Sequence, residues 1–488
     1  MASRAEPPTL SSLTRRRLLQ GGIASAGLVA GSSFGKASPT AAPSKKSSTG
    51  SAQSPYVPTP PPPDYEFLIQ TTTLNPDGQK AMPAITVNGI LPGPEIRVKK
   101  GDLFRVRTVN SLTNEPTSIH WHGLLLPAAM DGVPGVSNEA TGARQMYVYE
   151  YPIRQTGSYW YHSHYQLQEQ IGLFGPYIIE DDDEPNQSDR DAVVMISDWL
   201  HRDPYMVFEE LKKTGVAKKA SATGPDLADI QYASYLINGK PVDDPWTLEV
   251  ERGESVRLRV TGAGASTYFR VSLDEHPLEV THVNGPAIEV VEVDEFLIGP
   301  GEVYDARIRI EKPGSYTLHA VTQAGDAQAL GVIHTPGVAP KANTAMPKPA
   351  KRALELGMLQ ALEPTTLPPG KRRDLRVVLG GDMSNYTWTM NGQAYPKADP
   401  LVIGAGERVG VKLVNETPMW HPMHLHGHFF RTLNGAGERA PLMHTVSVPP
   451  RETIDIEFIA DNPGQWIFHC HNLYHLDAGM AREFQYEV

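Results

Sequence analysis

Apolar and polar residues alternate over short stretches along most of the chain, and turns containing Gly or Pro separate these stretches. Successive side chains of a strand point to opposite faces, so a period of two is typical of half-buried β-strands. The clearest helical stretch runs from Asp203 to Lys213, with Asp203 as the N-cap and Pro204 in the first helical position. Its predicted apolar face consists of Val207, Phe208 and Leu211. The pattern therefore predicts an all-β protein with few helices.

An internal repeat divides this all-β pattern into three. An Asn-Gly pair followed by a strand, a Gly turn and a second strand recurs at Asn88, Asn238 and Asn391, which are 150 and 153 residues apart. A second pattern follows in each copy, a Gly with a His five residues later. These pairs are Gly157 and His162, Gly314 and His319, and Gly464 and His469. Self-similarity at a regular period predicts three similar β-sandwich domains.

The composition of the first residues and of one later segment sets the domain boundaries. Thr14 to Gln20 (TRRRLLQ) precede a mildly apolar stretch and resemble a twin-arginine export signal. The Pro- and Ser-rich segment that follows cannot bury a core. We expect a signal region at 1–37, a disordered tether at 38–63, domain one at 64–185, domain two at 186–337, a Pro- and Lys-rich linker at 338–373 and domain three at 374–488. The apolar stretch is too short to span a bilayer, so no transmembrane segment is expected in the mature, periplasmic protein.

Net charge and cysteine content limit the partners of the chain and the roles of its cysteine. A formal net charge of −11 and the lack of a basic stripe argue against nucleic acid as a partner. The chain has 1 cysteine, so it has no internal disulfide even though export is predicted. A ligand role is therefore the better interpretation of Cys470.

The residues around this cysteine, HCHNLYHLDAGM, start at His469 and end at Met480. Cys470, His475 and Met480, with one more histidine from elsewhere, match the donor set of a blue copper site. On a strand, His469 and His471 point to the face opposite Cys470. One tripeptide therefore faces two predicted metal sites.

Four His-x-His pairs supply further candidate ligands. Any one such pair is a weak signal, because histidines are often surface residues or fully hydrogen-bonded. The pairs are His120 and His122, His162 and His164, His424 and His426, and His469 and His471. They lie at matching ends of the first and third repeats, where burial without a metal would leave ring nitrogens unsatisfied. The middle repeat has only His319 at the matching position, so we expect His319 to be structural and domain two to be a spacer.

Together, the motifs HWHG, YHSH, HPMHLHGH and HCHNLYHLDAGM resemble the copper-ligand motifs of the multicopper oxidases, in the right order. That family includes laccases, copper efflux oxidases and copper-resistance oxidases. The resemblance implies three cupredoxin-like Greek-key β-sandwich domains and four copper ions. The implied ligands are His421, Cys470, His475 and axial Met480 for type 1 copper, His120 and His424 for type 2, and His122, His162, His164, His426, His469 and His471 for the type 3 pair.

The reaction that this resemblance implies is oxidation of a donor at the type 1 copper, electron transfer through Cys470 to His469 and His471, and reduction of dioxygen to water. Asp131, nine residues after His122, matches an acid that the family places beside the inner coppers. Its alternative interpretation is an Asp-Gly turn residue. Leu476 occupies the position of a second acid in some members, so Glu169 and Asp477 are the alternative candidates.

The donor and partners follow from the branch that the chain resembles. HWHGLLLPAAMDGVPGVSN and SDWLHRDPYMVFEELKK look most like the copper-resistance branch, which favours Cu(I), but the 14 methionines are scattered. Cu(I) and a phenolic donor therefore both remain open. Met443 and His444 are candidate contacts near the type 1 site, and their alternative interpretation is as packing or surface residues. The other expected partners are dioxygen and the twin-arginine export machinery, and we expect a monomer.

Two other functions are open to a chain with this fold. A non-catalytic copper-binding or scaffold protein predicts gaps among the twelve ligands, and the sequence has none. A copper nitrite reductase does not need a type 3 site, so it does not account for the paired His-x-His motifs. An oxygen-reducing oxidase is the preferred interpretation.

Overall fold

The computed structural model describes residues 62–215 and 228–487. The predicted signal region and nearly all of the tether lie outside the described residues. Across the described residues the strands form six sheets, and helices are few and short. The predicted all-β fold class is confirmed.

The first two sheets contain the strands that carry His120, His122 and His162. In order across the first sheet, the strands are Met82–Val87, Tyr65–Leu74, Leu103–Asn110 and Met146–Pro152. Across the second they are Ile96–Lys99, Phe174–Glu180, Gly157–His162 and His120–His122. The last two strands are antiparallel, with His120 opposite His162, so the first two histidine motifs meet at one sheet edge.

The next two sheets belong to the middle repeat. Across the six-stranded sheet the strands are Ser234–Ile237, Arg190–Trp199, Ser255–Gly262, Val303–Arg309, Leu278–Val283 and Ala287–Val293. Across the five-stranded sheet they are Trp246–Glu249, Gln328–His334, Ser315–Thr322, Phe269–Leu273 and Phe296–Ile298.

The last two sheets carry the remaining histidine motifs and the cysteine. Across the six-stranded sheet the strands are Thr387–Met390, Arg372–Asp382, Arg408–Asn415, Thr453–Ile459, Phe430–Thr432 and Leu442–Met443. Across the five-stranded sheet they are Leu401–Ile403, Ala481–Tyr486, Gln465–Cys470, His421–Leu425 and Thr445–Val448. His424 lies opposite His469 and Met423 opposite Cys470, which brings the third and fourth motifs together.

Two α-helices interrupt the strands of the described chain. The first, Pro204–Thr214, begins where the sequence predicts, because the Asp203 side chain accepts a hydrogen bond from the backbone N–H of Tyr205. The second, Leu473–Asp477, was not predicted. Asn472 caps this helix, and the cap is the sequence signal for it. Three 3₁₀ turns are also present, at Ala128–Met130, Leu356–Met358 and Gly437–Arg439.

The repeat found in the sequence has a common structural cause. Asn88, Asn238 and Asn391 all have a positive φ, between 50° and 57°. Each side chain accepts a hydrogen bond from a backbone N–H of a neighbouring strand and donates one to a carbonyl two residues earlier on that strand. In every repeat, this neighbouring strand is parallel to one partner and antiparallel to another. The same Asn-Gly turn therefore sets the same strand arrangement three times.

A buried polar contact fixes the strand that ends at His162 against the middle repeat. The Ser158 hydroxyl donates to Asp305 at 2.8 Å and accepts from Arg259 at 2.9 Å, and Arg257 also donates to Asp305 at 2.7 Å. Because removing one partner of a buried ion pair leaves an uncompensated charge, such a network holds its elements in one arrangement. The middle repeat thus positions a strand that carries a candidate ligand.

Candidate metal centres

Cys470 lies in a buried group with His421 and His475, which we call the outer cluster. The Cys470 Sγ is 3.5 Å from the Nδ1 of His421 and 3.6 Å from the Nδ1 of His475. The two Nδ1 atoms are 3.2 Å apart. Burial lowers the pKa of His421 and raises the pKa of the Cys470 thiol, so both groups favour the neutral form in the absence of a cation.

Hydrogen bonds on the far side of each ring leave the Nδ1 atoms of the outer cluster free. The Nε2 of His421 is 2.7 Å from the Thr417 hydroxyl, and the Nε2 of His475 is 3.1 Å from Asp229. An Nε2–H that donates to a carboxylate leaves a lone pair on Nδ1. Burial opposes ionisation of Asp229, but hydrogen bonds from His475 and the Tyr386 hydroxyl lower its pKa.

Met480 is held against the outer cluster by the backbone. Its carbonyl accepts from the Cys470 N–H at 3.0 Å, and its own N–H donates to the His475 carbonyl at 2.9 Å. The Asn472 side chain accepts from the His475 N–H and starts the short helix that carries this histidine. The unpredicted helix therefore brings His475 back toward Cys470, five residues earlier in the chain.

Eight other histidines form a second group, which we call the inner cluster. They are His120, His122, His162, His164, His424, His426, His469 and His471. His469 Nε2 is 3.0 Å from His426 Nε2 and 3.4 Å from His164 Nε2. On the other side, His122 Nδ1 is 3.4 Å from His162 Nε2, and the His471 ring centroid lies 4.8 Å from that of His122 and 5.1 Å from that of His162.

In several rings of the inner cluster, the hydrogen-bond partner fixes which nitrogen carries the proton. His469 Nδ1 donates to the Cys470 carbonyl at 3.0 Å, and His426 Nδ1 donates to Asp131 at 2.9 Å. The Nε2 atoms of both rings therefore carry lone pairs, and these lone pairs face each other at 3.0 Å. Two facing lone pairs repel, and a cation between them removes the repulsion.

The same reasoning applies to His120 and His424. The Nδ1 of His120 donates to the Asp131 carbonyl, and the Nδ1 of His424 donates to the His444 carbonyl, both at 2.8 Å. The Nε2 atoms of both rings are buried and have no hydrogen-bond partner among the described residues. Burial also lowers the pKa of His424 and brings that of His469 to about 4, which keeps these rings neutral and able to bind metal. Neutral imidazoles with one thiol are a donor set that fits copper.

Asp131 lies both in a turn and beside the inner cluster. Its N–H donates to the Ala128 carbonyl at the end of a 3₁₀ turn, and the next residue, Gly132, has φ +83° and no room for a Cβ beside Ile119. Its carboxylate meanwhile lies 2.9 Å from His426 Nδ1 and 3.3 Å from His120 Nδ1. The turn therefore places one acid against two rings of the inner cluster.

Both candidates for a second acid lie on a cavity at the inner cluster. This cavity of about 180 Å³ is lined by Glu169, Asp477, His162 and His469, among others. Glu169 Oε2 is 2.7 Å from His162 Nδ1, so it orients that ring. Burial raises the pKa of Asp477 to about 7 and that of Glu169 well above its usual value. The structure thus gives each acid a separate position rather than making one replace the other.

Of the two interpretations of Met443 and His444, the structure supports packing, because both are fully buried and the His444 ring lies 4.8 Å from His122 and 5.4 Å from His424. One expectation from the sequence is wrong. Domain two is more than a spacer. Its Asp229 contacts His475 in the outer cluster, and a Cβ on its Gly301 would lie 2.6 Å from the His471 ring.

The lone histidine of the middle repeat has no free nitrogen. His319 Nδ1 is 3.0 Å from the Gln328 side-chain oxygen, and its Nε2 is 3.1 Å from Asp274. Both nitrogens are therefore engaged by protein oxygens, as expected for a structural residue.

Paired β-sheets that carry a buried thiol with two imidazoles, beside eight more histidines, define a copper protein built from β-sandwiches. Three models of the multicopper oxidase family match residues 68–184, 190–337 and 368–488. The chain therefore belongs to the multicopper oxidase family, whose members are oxidoreductases that bind copper and use oxygen. The resemblance seen in the motifs is confirmed, and the scaffold alternative is not supported.

Individual relatives agree with this assignment. The chain is similar to multicopper oxidase MmcO of Mycobacterium tuberculosis, with 33% identity over 85% of this chain and 87% of that protein. It is 30% identical to a copper resistance protein A homolog of Pseudomonas syringae pv. tomato, over 87% of this chain and 92% of that protein. Among solved structures, Lac15 from a marine microbial metagenome is 28% identical, covers 87% of this chain and all (100%) of its own, and has a TM-score of 0.63. Fet3p, described as a multicopper oxidase that functions in iron import, shares the fold with a TM-score of 0.75 and 23% identity, covering 87% of this chain and 90% of its own.

Within the described residues, no helix has the length and apolar character needed to cross a membrane.

Proposed function

We propose that the chain holds four copper ions and couples oxidation of an external donor to reduction of dioxygen. The outer cluster together with Met480 would hold type 1 copper, and His120 and His424 would hold type 2 copper. His122, His162 and His471 would hold one type 3 ion, and His164, His426 and His469 the other. The observation that carries this proposal is the 3.0 Å approach of two lone-pair nitrogens at His426 and His469.

When bound, copper supplies the one-electron steps that join a one-electron donor to the four-electron reduction of dioxygen to water. The chain's own residues set the connections for this chemistry. Cys470 belongs to the outer cluster, while the residues on either side of it, His469 and His471, belong to the inner cluster. Asp131 and Glu169 hold the rings of His426 and His162 by their Nδ1 atoms, which keeps each Nε2 free for metal.

We infer that the donor is Cu(I) or a phenol, the two donor classes that the sequence motifs leave open. A role in copper tolerance is supported by the relatives named copper resistance protein A.

Oxygen uptake by the copper-loaded protein tests these proposals. Cu(I) and 2,6-dimethoxyphenol are compared side by side at equal concentration, with Cys470→Ser as the inactive control. A large preference for Cu(I) rejects a general laccase function, and turnover of the phenol alone rejects copper oxidation. No uptake with either donor rejects the oxidase proposal for this chain.

We also propose the division into domains at 64–185, 186–337 and 374–488, with a linker at 338–373, and export of a monomer to the periplasm by the twin-arginine route. Arg15 and Arg16 in TRRRLLQ support the route. Replacing both with Lys is expected to leave the protein in the cytoplasm, measured by cell fractionation. Continued export of this variant contradicts the route.

A further inference from the structure

A second, larger cavity lies between the middle repeat, residues 354–359 and the third repeat. Its volume is about 660 Å³, which is within the range of sites that bind small organic molecules. Its walls include Glu302, Leu354, Trp420, Val446, Glu452 and Asp455. None of the residues that line the 180 Å³ cavity at the inner cluster lines this one.

One of the polar groups that line this cavity is a buried carboxyl group without a cationic partner. Glu302 is 3% exposed, and its oxygens accept hydrogen bonds from the backbone N–H groups of Gly299 at 2.7 Å and Ser447 at 3.2 Å. No Lys, Arg or His forms an ion pair with Glu302 among the described residues. By contrast, the buried Asp305 pairs with Arg257, and the buried Glu457 pairs with Arg431. Since a buried carboxylate without a cation is costly, a positive ligand in the cavity beside Glu302 would be stabilised.

The remaining walls are aromatic, aliphatic and acidic. Trp420 is half-buried, and its ring lies 5.8 Å from the Tyr268 ring. Glu355 and Glu452 lie on the exposed part of the lining, Asp455 pairs with Lys412, and the lining contains no Lys, Arg or His. An aromatic ring beside acidic groups favours the binding of a cation and opposes the binding of an anion.

We propose that this cavity binds an organic cation that carries an aromatic ring, with the ring against Trp420 and the positive nitrogen toward Glu302. Trp420 directly precedes His421 of the outer cluster. The cavity is therefore lined by the residue that directly precedes a proposed copper ligand, and neither Asp229 nor His475 lines it.

Calorimetric titration with phenyltrimethylammonium tests this site in the copper-loaded protein. The probe lacks an oxidisable N–H or O–H, so its binding is separate from oxidase activity. We expect saturable binding of one equivalent, about tenfold or more tighter than for the uncharged acetanilide or the anion benzenesulfonate, since tenfold is about 1.4 kcal/mol. Equal binding of all three probes, or no binding of the cation, overturns the proposal.

Two variants assign the binding to named residues. Glu302→Gln is expected to lower the affinity for the cation about tenfold and to leave the affinity for acetanilide unchanged. Trp420→Leu is expected to lower the affinity for both probes. Glu363→Gln is the matched control, because Glu363 is exposed and does not line the cavity. Unchanged cation affinity in folded Glu302→Gln overturns the proposal.

The pH dependence in the unaltered protein gives a second test that does not depend on a variant folding. Burial raises the pKa of Glu302 to about 7, so the carboxylate form, and with it cation affinity, increases as pH rises from 6 to 8. The other titratable groups that face the cavity are Glu355, Glu452, Asp455 and Tyr304, and Tyr268 packs behind Trp420. Burial raises the pKa of both phenols, so they stay neutral over this range. A cation affinity that falls as pH rises overturns the proposal.

Discussion

His319 in the middle repeat and His162 in the first repeat occupy the same position, five residues after a repeated Gly and on an equivalent strand. Both ring nitrogens of His319 lie within hydrogen-bonding distance of protein oxygens, one on Gln328 and one on Asp274. His162 gives only Nδ1 to oxygens, and its Nε2 faces His122 Nδ1 at 3.4 Å. Because both histidines occupy equivalent positions on equivalent strands, the strand position alone does not make a metal site. These two rings differ in the number of protein acceptors around them, which leaves a nitrogen for metal at His162 in the function proposed above and none at His319.

The third repeat extends the same contrast. His469 uses the Cys470 carbonyl for Nδ1 and directs Nε2 to His426 and His164. Around the inner cluster, backbone carbonyls, Asp131 and Glu169 take one nitrogen of a ring and leave the other for metal. In the middle repeat, Asp274 takes the nitrogen that would otherwise be free.

The largest expected effect comes from removing the one donor that no other repeat has. Cys470→Ser replaces a soft sulfur with a hard oxygen, so we expect loss of the blue absorbance near about 600 nm and of all oxygen uptake. The measurements are the visible spectrum and an oxygen electrode. Retained colour contradicts the assignment of the outer cluster.

The matched pair His162→Gln and His319→Gln tests the comparison directly. His162→Gln is expected to lower bound copper and abolish oxygen uptake, because the inner cluster loses a ligand. His319→Gln is expected to keep copper and turnover but to lower the free energy of unfolding by about 1–3 kcal/mol, because Asp274 or Gln328 loses its partner. Copper analysis and chemical denaturation measure the two effects. Copper loss of equal size in both variants breaks the distinction between the repeats.

Asp131→Asn is expected to have an intermediate effect. The amide keeps the turn but no longer offers two carboxylate oxygens to His426 and His120, so copper affinity or turnover should fall about 10–100-fold. Competition with a chelator measures the affinity. A variant that matches the unaltered protein in both properties shows that Asp131 acts only as a turn residue.

Gly301→Ala is expected to have the smallest effect on turnover and tests the contribution of the middle repeat. The added Cβ would lie 2.6 Å from the His471 ring, and overpacking of this kind costs about 1–3 kcal/mol. The control is Gly253→Ala in the same repeat, since Gly253 has φ +78°, close to the +77° of Gly301, and nothing within 4 Å of its Cβ position. Denaturation of the copper-free proteins gives the difference. If the two variants are destabilised equally, the contact with His471 is not the cause of the destabilisation.

The sequence by itself predicted the all-β class, the three repeats, the start of the helix at Pro204 and the residue types that come together in the clusters. These features depend on local rules, because strand alternation, turn residues and N-caps act over a few positions. The alternation of His469, Cys470 and His471 already indicated that one strand faces two groups of ligands.

Only the tertiary structure decided which partners surround each ring. Asp229 and His475 are 246 residues apart, and Asp131 and His426 are 295 apart, so sheet packing rather than local pattern brings them together. The same reason explains why the spacer role expected for domain two was wrong. A sequence specifies the ligand types on a strand face, whereas the free nitrogen of His475 and of His426 is set by carboxylates that distant segments bring into contact.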